Sequence, residues 1–291
     1  FARLYFDEVY PPDHRNAGKL RLPPGKDGRR RNLRDVARIL RHGIEEMGAP
    51  ERWQPLPPKK MSGLIGLAVT ETITKAKTIP VLPEDLEALL DNIEADGRLD
   101  LWLAVGLVGL YGLRPSELAV MRLDDDGKLY VGGQVKRDAK AIEQGTEKPE
   151  RLVKALDLNG CAGLGKRMAL LWDNGKGQIK LPLAVRNEIA RVEEKNTFKE
   201  VGAAFSQLLT RYRYWKILVR KTPGLKPYGL RHGWAWRAHK NSEKQLHYSQ
   251  AAALMGHTTR VHLDYYSSWV NDEELEKAVE EYNLNLKGVA T

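Results

Sequence analysis

The chain has 291 residues and a formal net charge of +9, from 47 Lys+Arg against 38 Asp+Glu. With 42% hydrophobic and 29% charged residues, the composition is typical of a folded globular protein and excludes an intrinsically disordered one. The single cysteine, Cys161, excludes an intrachain disulfide and a cysteine-based zinc site, and we expect a reducing compartment. No apolar run approaches the roughly 20 residues of a membrane helix.

The positive charge is unevenly distributed. Residues 1–78 carry 16 Lys+Arg and 9 Asp+Glu, a net charge of +7, and residues 79–266 carry 29 and 23, a net charge of +6. Residues 267–291 carry 2 and 6, a net charge of −4. Two basic blocks favour a polyanion such as nucleic acid as the partner, although a basic surface also aids solubility.

The first block is predicted to be helical. Val36, Ile39, Leu40 and Ile44 recur at helical spacing and predict a helix over 32–47. We expect arginines on the other faces to meet phosphates: Arg29, Arg30, Arg31, Arg34, Arg38 and Arg41. A domain boundary is predicted near residues 75–80.

The second block is predicted to be mainly helical with a small antiparallel sheet. Helices are expected at about 84–94, 100–112, 115–121, 183–195, 198–214, 229–240, 246–255 and 272–283. The β-rich runs 128–136 and 151–157 predict two strands joined by a charged loop.

Two motifs are weak. Gly160 to Lys166 has the spacing of a phosphate-binding loop, but Arg167 follows where a Mg²⁺-binding Ser or Thr is needed, so we predict a glycine-rich turn. His257 and His262 are five residues apart and do not share a helix face. Neither a cofactor nor a metal is expected.

Three further segments carry the functional prediction. They are Gly-Leu-Arg-Pro-Ser-Glu-Leu at 112–118, Tyr-Gly-Leu-Arg-His at 228–232, and Met-Gly-His at 255–257 followed by Tyr266. Each alone is compatible with an ordinary helix terminus or turn. In this order, the chain resembles the tyrosine recombinases of the phage-integrase family, over residues 79–270. The departure is Tyr228, where the family usually has His.

The resemblance implies a two-domain, C-shaped clamp around DNA, with an integrase-type catalytic domain over 79–270. Residues 1–78 would be a helical core-DNA-binding domain, and 271–291 a tail exchanged between protomers, although packing within one protomer also fits. Since the sequence begins with Phe1, we expect a part of a longer chain, in which either an arm-site-binding domain or the start of the core-DNA-binding domain would precede it.

The resemblance also implies the roles of the site residues. Arg114 and Arg231 would clamp the phosphate, His257 would donate a hydrogen bond to it, and Glu117 would orient Arg114. Tyr266, nine residues after His257, would be the nucleophile, with Tyr265 as the competitor. Lys136 would protonate the leaving 5′ oxygen, with Lys140 and then Lys148 as alternatives. Because a tyrosine such as Tyr228 is a poor base, His232 or water would accept the proton.

The implied function is site-specific DNA recombination, by integration or excision, through a 3′-phosphotyrosine and a Holliday junction. The partners would be double-stranded DNA with specific attachment or core sites, three further copies of the chain in a tetramer, and an accessory directionality factor. The expected location is the nucleoid in the cytoplasm of a bacterium or phage host, with no membrane. The alternatives are a type IB topoisomerase, a telomere resolvase, or a catalytically silent DNA-binding protein of the same fold.

Overall fold

The computed structural model describes residues 8–25, 27–66, 79–136, 149–240, 245–266 and 269. The chain divides into two compact units, Phe1–Ala76 and Lys77–Thr291. The described elements confirm a mainly helical protein with one small antiparallel sheet. Within the described ranges, no helix combines the length and apolarity needed to cross a membrane.

The first unit contains helix α1 (Asp27–Met47), a short 3-10 helix (Glu51–Trp53) and helix α2 (Pro58–Ile65). Leu33 and Ala37, four residues apart, form the buried face of α1. Helix α1 begins before the predicted residue 32. Val36 and Ile39 are exposed, so the apolar stripe is narrower than the sequence suggests.

The position of Arg29 differs from the one predicted for it on the arginine surface. This residue lies four residues before Leu33 and therefore on the buried face of α1, where its side chain is only 8% exposed. Its Nη1 donates to the Leu22 carbonyl at 3.4 Å. Arg29 is therefore not part of the exposed arginine surface of α1 that the sequence predicted. The exposed members of the set are Arg30, Arg31, Arg34, Arg38 and Arg41.

The helices of the second unit form two groups along the chain. Helices α3 (Pro83–Ala95) and α4 (Leu99–Tyr111) precede the sheet. The others follow it: α5 (Leu164–Trp172), α6 (Leu183–Ala190), α7 (Val192–Lys195), α8 (Lys199–Arg211), α9 (Arg213–Lys221), α10 (Gly229–Lys240), α11 (Tyr248–Met255) and α12 (Thr259–Tyr266).

Helix α4 is the centre of this unit, because every residue from 101 to 111 is buried. Helices α3, α5 and α10 pack against it. Its glycines allow that close approach: a Cβ at Gly106 would collide with Met168 of α5, and one at Gly109 would lie 3.1 Å from Leu86 of α3. The glycines that interrupt this apolar run therefore serve helix packing.

The sheet has three antiparallel strands in the order β1 (Met121–Leu123), β2 (Leu129–Val131) and β3 (Arg151–Val153). Leu123 pairs with Leu129, and Val131 pairs with Arg151. The predicted pairing of the second and third strands is confirmed. Strand β2 ends earlier than predicted, and Gly133–Lys136 is a 3-10 helix.

Several predicted helix bounds change. Instead of a helix over 115–121, a 3-10 helix covers Pro115–Ala119 and β1 follows it. The predicted helix over 183–195 divides into α6 and α7, and the one over 198–214 ends at the extended Tyr212 before α9. Helices α5 and α12 were not predicted, and neither was α9 beyond residue 214. The predicted helix over 272–283 lies outside the described residues.

Candidate active site

Two arginines join the three motif segments. Arg231, at the first turn of α10, donates from Nη1 to the Gly112 carbonyl at 2.6 Å and from Nη2 to the Met255 carbonyl. Arg114 donates from Nη2 to the Gly256 carbonyl at 3.2 Å. Segments more than 100 residues apart in sequence therefore meet in one place.

Gly112 permits this meeting. It ends α4 in the left-handed conformation, with φ of 64°. A Cβ at this position would lie 2.7 Å from the ring of Trp234, which is fully buried. Both the backbone angle and the close approach of α10 thus require glycine.

Glu117 is the acidic centre of the site and is 1% exposed. Its carboxylate accepts from the backbone N–H of Arg114 at 2.8 Å and from the Arg114 side chain. Burial opposes the charged form of Glu117, but the surrounding arginines, led by Arg151, outweigh it and hold the pKa of the carboxyl below its usual value. This geometry supports the predicted orienting role of Glu117.

Arg151 is a site residue that the sequence reasoning missed. At the start of β3, its Nη1 and Nη2 donate to the two carboxylate oxygens of Glu117, at 3.0 and 2.7 Å. Its Nε donates to the Leu254 carbonyl at 3.1 Å. A Cβ at Gly256 would lie 2.8 Å from Arg151 Nε, so that glycine leaves room for the guanidinium. The sequence feature that could have pointed to Arg151 is Glu117, because its carboxylate can bind a second cation beside Arg114.

Tyr266 ends helix α12 and is buried, whereas Tyr265 is 52% exposed. The Tyr266 hydroxyl lies 3.0 Å from Nδ1 of His232. Burial raises the pKa of the Tyr266 phenol, against the opposing charges of Arg231 and Arg114. Tyr266 therefore lies close enough to Arg231 and Arg114 for their charges to act on its phenol, while its role as the nucleophile stays a prediction.

His232 and His257 flank Tyr266. Burial, reinforced by the charge of Arg231, lowers the pKa of both imidazoles to about 4. Both rings are therefore neutral at neutral pH, when each has one nitrogen that donates and one that accepts. The ring centres of His257 and Tyr266 are 6.5 Å apart.

Tyr228 lies at the rim of the site. It is 41% exposed, and its ring meets the ring of His232 edge to face, with centroids 5.0 Å apart. No described hydrogen bond joins Tyr228 to Tyr266. This aromatic contact covers His232, the histidine whose Nδ1 lies beside the Tyr266 hydroxyl.

The three candidate lysines follow strand β2. The backbone of Lys136 ends the 3-10 helix after β2, in the connection that leads to β3. Lys140 and Lys148 lie in the same connection but outside the described residues. The choice among the three stays a prediction.

Two histidines that contact each other lie next to His257. His239 and His262 approach through their Nε2 atoms at 2.7 Å, and the rings of His262 and His257 are 5.1 Å apart. Sequence spacing had separated His257 from His262, but the turn between α11 and α12 brings their rings together. Over the described ranges, no group of three or more His, Cys, Asp or Glu side chains is arranged to hold a metal.

Asp157 occupies the glycine-rich turn before α5. Its carboxylate accepts from the backbone N–H groups of Gly163 and Gly165, both at 2.8 Å. These are the amides that a phosphate-binding loop would offer to a nucleotide. An internal carboxylate therefore caps α5 where the motif resembled a phosphate site.

No protein-family model matches the chain, and neither does any curated protein. Among solved structures, the chain is similar to protelomerase TelA covalently complexed with substrate DNA, with a TM-score of 0.40 and 17% sequence identity. The alignment covers 85% of each chain. The roles of the site residues therefore rest on their own geometry.

Proposed function

We propose that this protein breaks and rejoins DNA strands through a covalent bond between Tyr266 and a backbone phosphate. The observation that carries the proposal is the 3.0 Å approach of His232 to the Tyr266 hydroxyl, beside a cluster of arginines. A tyrosine, a neutral base and fixed cations are the groups needed to transfer a phosphodiester without an activated cofactor.

The reaction would begin with attack of the Tyr266 oxygen on phosphorus. The phenol proton passes to Nδ1 of His232, and the bond between phosphorus and the 5′ oxygen breaks. The 5′ oxygen receives a proton, for which Lys136 is our candidate donor. The product is a 3′-phosphotyrosine and a free 5′-hydroxyl. Attack by a 5′-hydroxyl on the phosphotyrosine reverses the steps and restores the phosphodiester without ATP.

The arginines suit the charge that develops in this reaction. Guanidinium groups are charged at neutral pH, and this holds for Arg231 even though burial lowers its pKa. The positions of Arg114 and Arg231 are fixed by backbone carbonyls and by Glu117 before any substrate arrives. Such preorganised cations stabilise a phosphorane more than side chains that must first be ordered.

The finer proposal is site-specific recombination between two duplexes by four copies of the chain. It rests on the order of the three motifs and on the basic charge of residues 1–266. Relaxation of supercoils and closure of hairpin ends use the same chemistry, so the products distinguish these activities.

A nicked DNA substrate, from which the short cleaved fragment diffuses away, tests the chemistry by trapping the covalent adduct. We expect an adduct with the wild-type protein and with Tyr265→Phe, and none with Tyr266→Phe. An adduct with Tyr266→Phe would overturn the nucleophile assignment. DNA binding without an adduct in the wild-type protein would support a silent DNA-binding protein instead.

The products of intact substrates test the finer proposal. Joined strands from two duplexes support recombination, and they should pass through a four-way junction. Relaxed supercoils alone would indicate a topoisomerase, and covalently closed ends alone would indicate a hairpin-forming enzyme; either result would overturn the proposal of recombination.

A further inference from the structure

We propose that Arg151 is a positioning residue that sets the net charge of the phosphate site at +2. The inference rests on the proposed function and concerns the same site. It follows from the bidentate contact of Arg151 with Glu117, together with the contact of Arg114 with the same carboxylate.

The charges of the cluster can be counted. Arg114, Arg151 and Arg231 each carry +1, and Glu117 carries −1 because the arginines hold its pKa down. The cluster therefore carries +2. Without Arg151 the cluster would carry +1, because the negative charge of Glu117 would then offset part of the charge of Arg114 and Arg231 alone.

A net charge of +2 matches the transition state better than the ground state. A phosphodiester carries one negative charge, and attack by a phenolate gives a phosphorane that carries two. Because only interactions that strengthen in the transition state increase the rate, the second positive charge acts on cleavage more than on DNA binding.

Arg151 acts through Glu117. Nε and both terminal nitrogens already donate to the Leu254 carbonyl and to Glu117. Its side chain is 17% exposed. The same contacts fix β3 to the turn before His257, so Arg151 also holds together the two sides of the site.

Charge rescue separates this role from a purely structural one. We expect Arg151→Gln to slow adduct formation by about tenfold or more; loss of a donor that contacts the reacting oxygen directly costs roughly 10²–10³-fold, and Arg151 acts only through Glu117. The double variant Glu117→Gln/Arg151→Gln again carries +2, from Arg114 and Arg231, and should recover much of the rate. Arg151→Lys keeps the charge without the fork and should be intermediate. Failure of the double variant to recover, with melting temperatures near wild type, would overturn the proposal.

A neutral substrate gives a second readout. With a methylphosphonate at the cleaved position the transition state carries one negative charge less, so Arg151→Gln should slow this substrate much less than the phosphodiester. Equal slowing of both substrates would mean a structural role only.

Inorganic phosphate, which is mainly dianionic at pH 7.5, tests the charge without any cleavage. We expect Arg151→Gln to weaken phosphate binding to the folded protein about tenfold, and the double variant to restore it, as measured by calorimetry. Unchanged phosphate binding would overturn the inference even if the wild-type protein formed no adduct. If the wild-type protein forms no adduct but Arg151→Gln still weakens phosphate binding, only the proposed function is overturned.

Discussion

Nδ1 of His232 and the hydroxyl oxygen of Tyr266 lie 3.0 Å apart, although the two residues are in different helices. Because the His232 ring is neutral, Nδ1 is free of a proton in the tautomer that carries hydrogen on Nε2. In that tautomer the phenol donates its proton toward His232. This geometry supports our proposal that His232 accepts the phenol proton, whereas Tyr228 contacts the His232 ring edge to face.

Replacing His232 by glutamine should slow adduct formation while DNA binding stays near wild type. Glutamine can accept a hydrogen bond but cannot take the proton, and general base catalysis contributes roughly 10²–10⁴-fold. The measurement is the single-turnover rate on the nicked substrate, with the exposed His42→Gln as the control. A rate within twofold of wild type would mean that water, and not His232, accepts the phenol proton.

The same histidine should make folding sensitive to acid. The pKa of His232 is about 4 in the folded protein, because of burial and Arg231, and about 6.5 in an unfolded chain. As the pH falls below 6.5, the unfolded state binds the proton first, so stability is lost between about pH 6.5 and 4. At about 1.4 kcal/mol per pH unit, this group alone removes about 2 kcal/mol between pH 7 and 5.

Urea unfolding at pH 7 and pH 5 measures this loss. We expect His232→Gln to show a smaller drop in the free energy of unfolding than wild type, and His42→Gln to show the full drop. Identical drops in all three proteins would contradict the lowered pKa of the buried His232 imidazole.

The mainly helical class with one small antiparallel sheet was predicted from the sequence and is confirmed. Arg114, Arg231, His257 and Tyr266 were singled out because they stand in short motifs, and the structure brings these motifs together. Arg151 was missed because its role depends on a carboxylate 34 residues away, which only the sheet brings near. Arg29 was misassigned since a run of three arginines hides which one faces the core.

The predicted bounds of helices and strands were wrong where the sequence pattern that marks an element was short. Strand β1 has only three residues, alternating buried, exposed and buried, so a helix over 115–121 fitted the sequence equally well. Helix α5 was hidden by the glycines before it, because its cap is the distant carboxylate of Asp157 rather than a neighbouring side chain. Tertiary contacts decided both cases.

Gly112→Ala should destabilise the protein more than Gly97→Ala. Both residues have φ near 65°, where a side chain costs roughly 1–2 kcal/mol. Only at Gly112 would the new Cβ also collide with Trp234, since nothing lies within 4 Å at Gly97. Overpacking adds about 1–3 kcal/mol, measurable by urea unfolding. Equal losses for the two variants would show that α10 can move away from Gly112.

Asp157→Ala should destabilise helix α5. The substitution leaves the N–H groups of Gly163 and Gly165 without their acceptor, and loss of a helix cap costs about 0.5–2 kcal/mol. The exposed Asp125→Ala is the matched control and should stay within about 0.5 kcal/mol of wild type. Unchanged urea unfolding of Asp157→Ala would show that water satisfies these amides equally well.

The exposed arginines of α1 should control the salt dependence of DNA binding. Each of Arg34→Gln, Arg38→Gln and Arg41→Gln should weaken binding similarly on all DNA sequences, because phosphate contacts carry no sequence information. Each lost contact should reduce the slope of log K against log salt by about 0.9. Arg29→Gln is the contrasting variant: its side chain is buried beside Leu33, so it should lower the melting temperature and leave the slope unchanged. A reduced slope for Arg29→Gln, with unchanged slopes for the other three, would reverse the assignment of the two faces of α1.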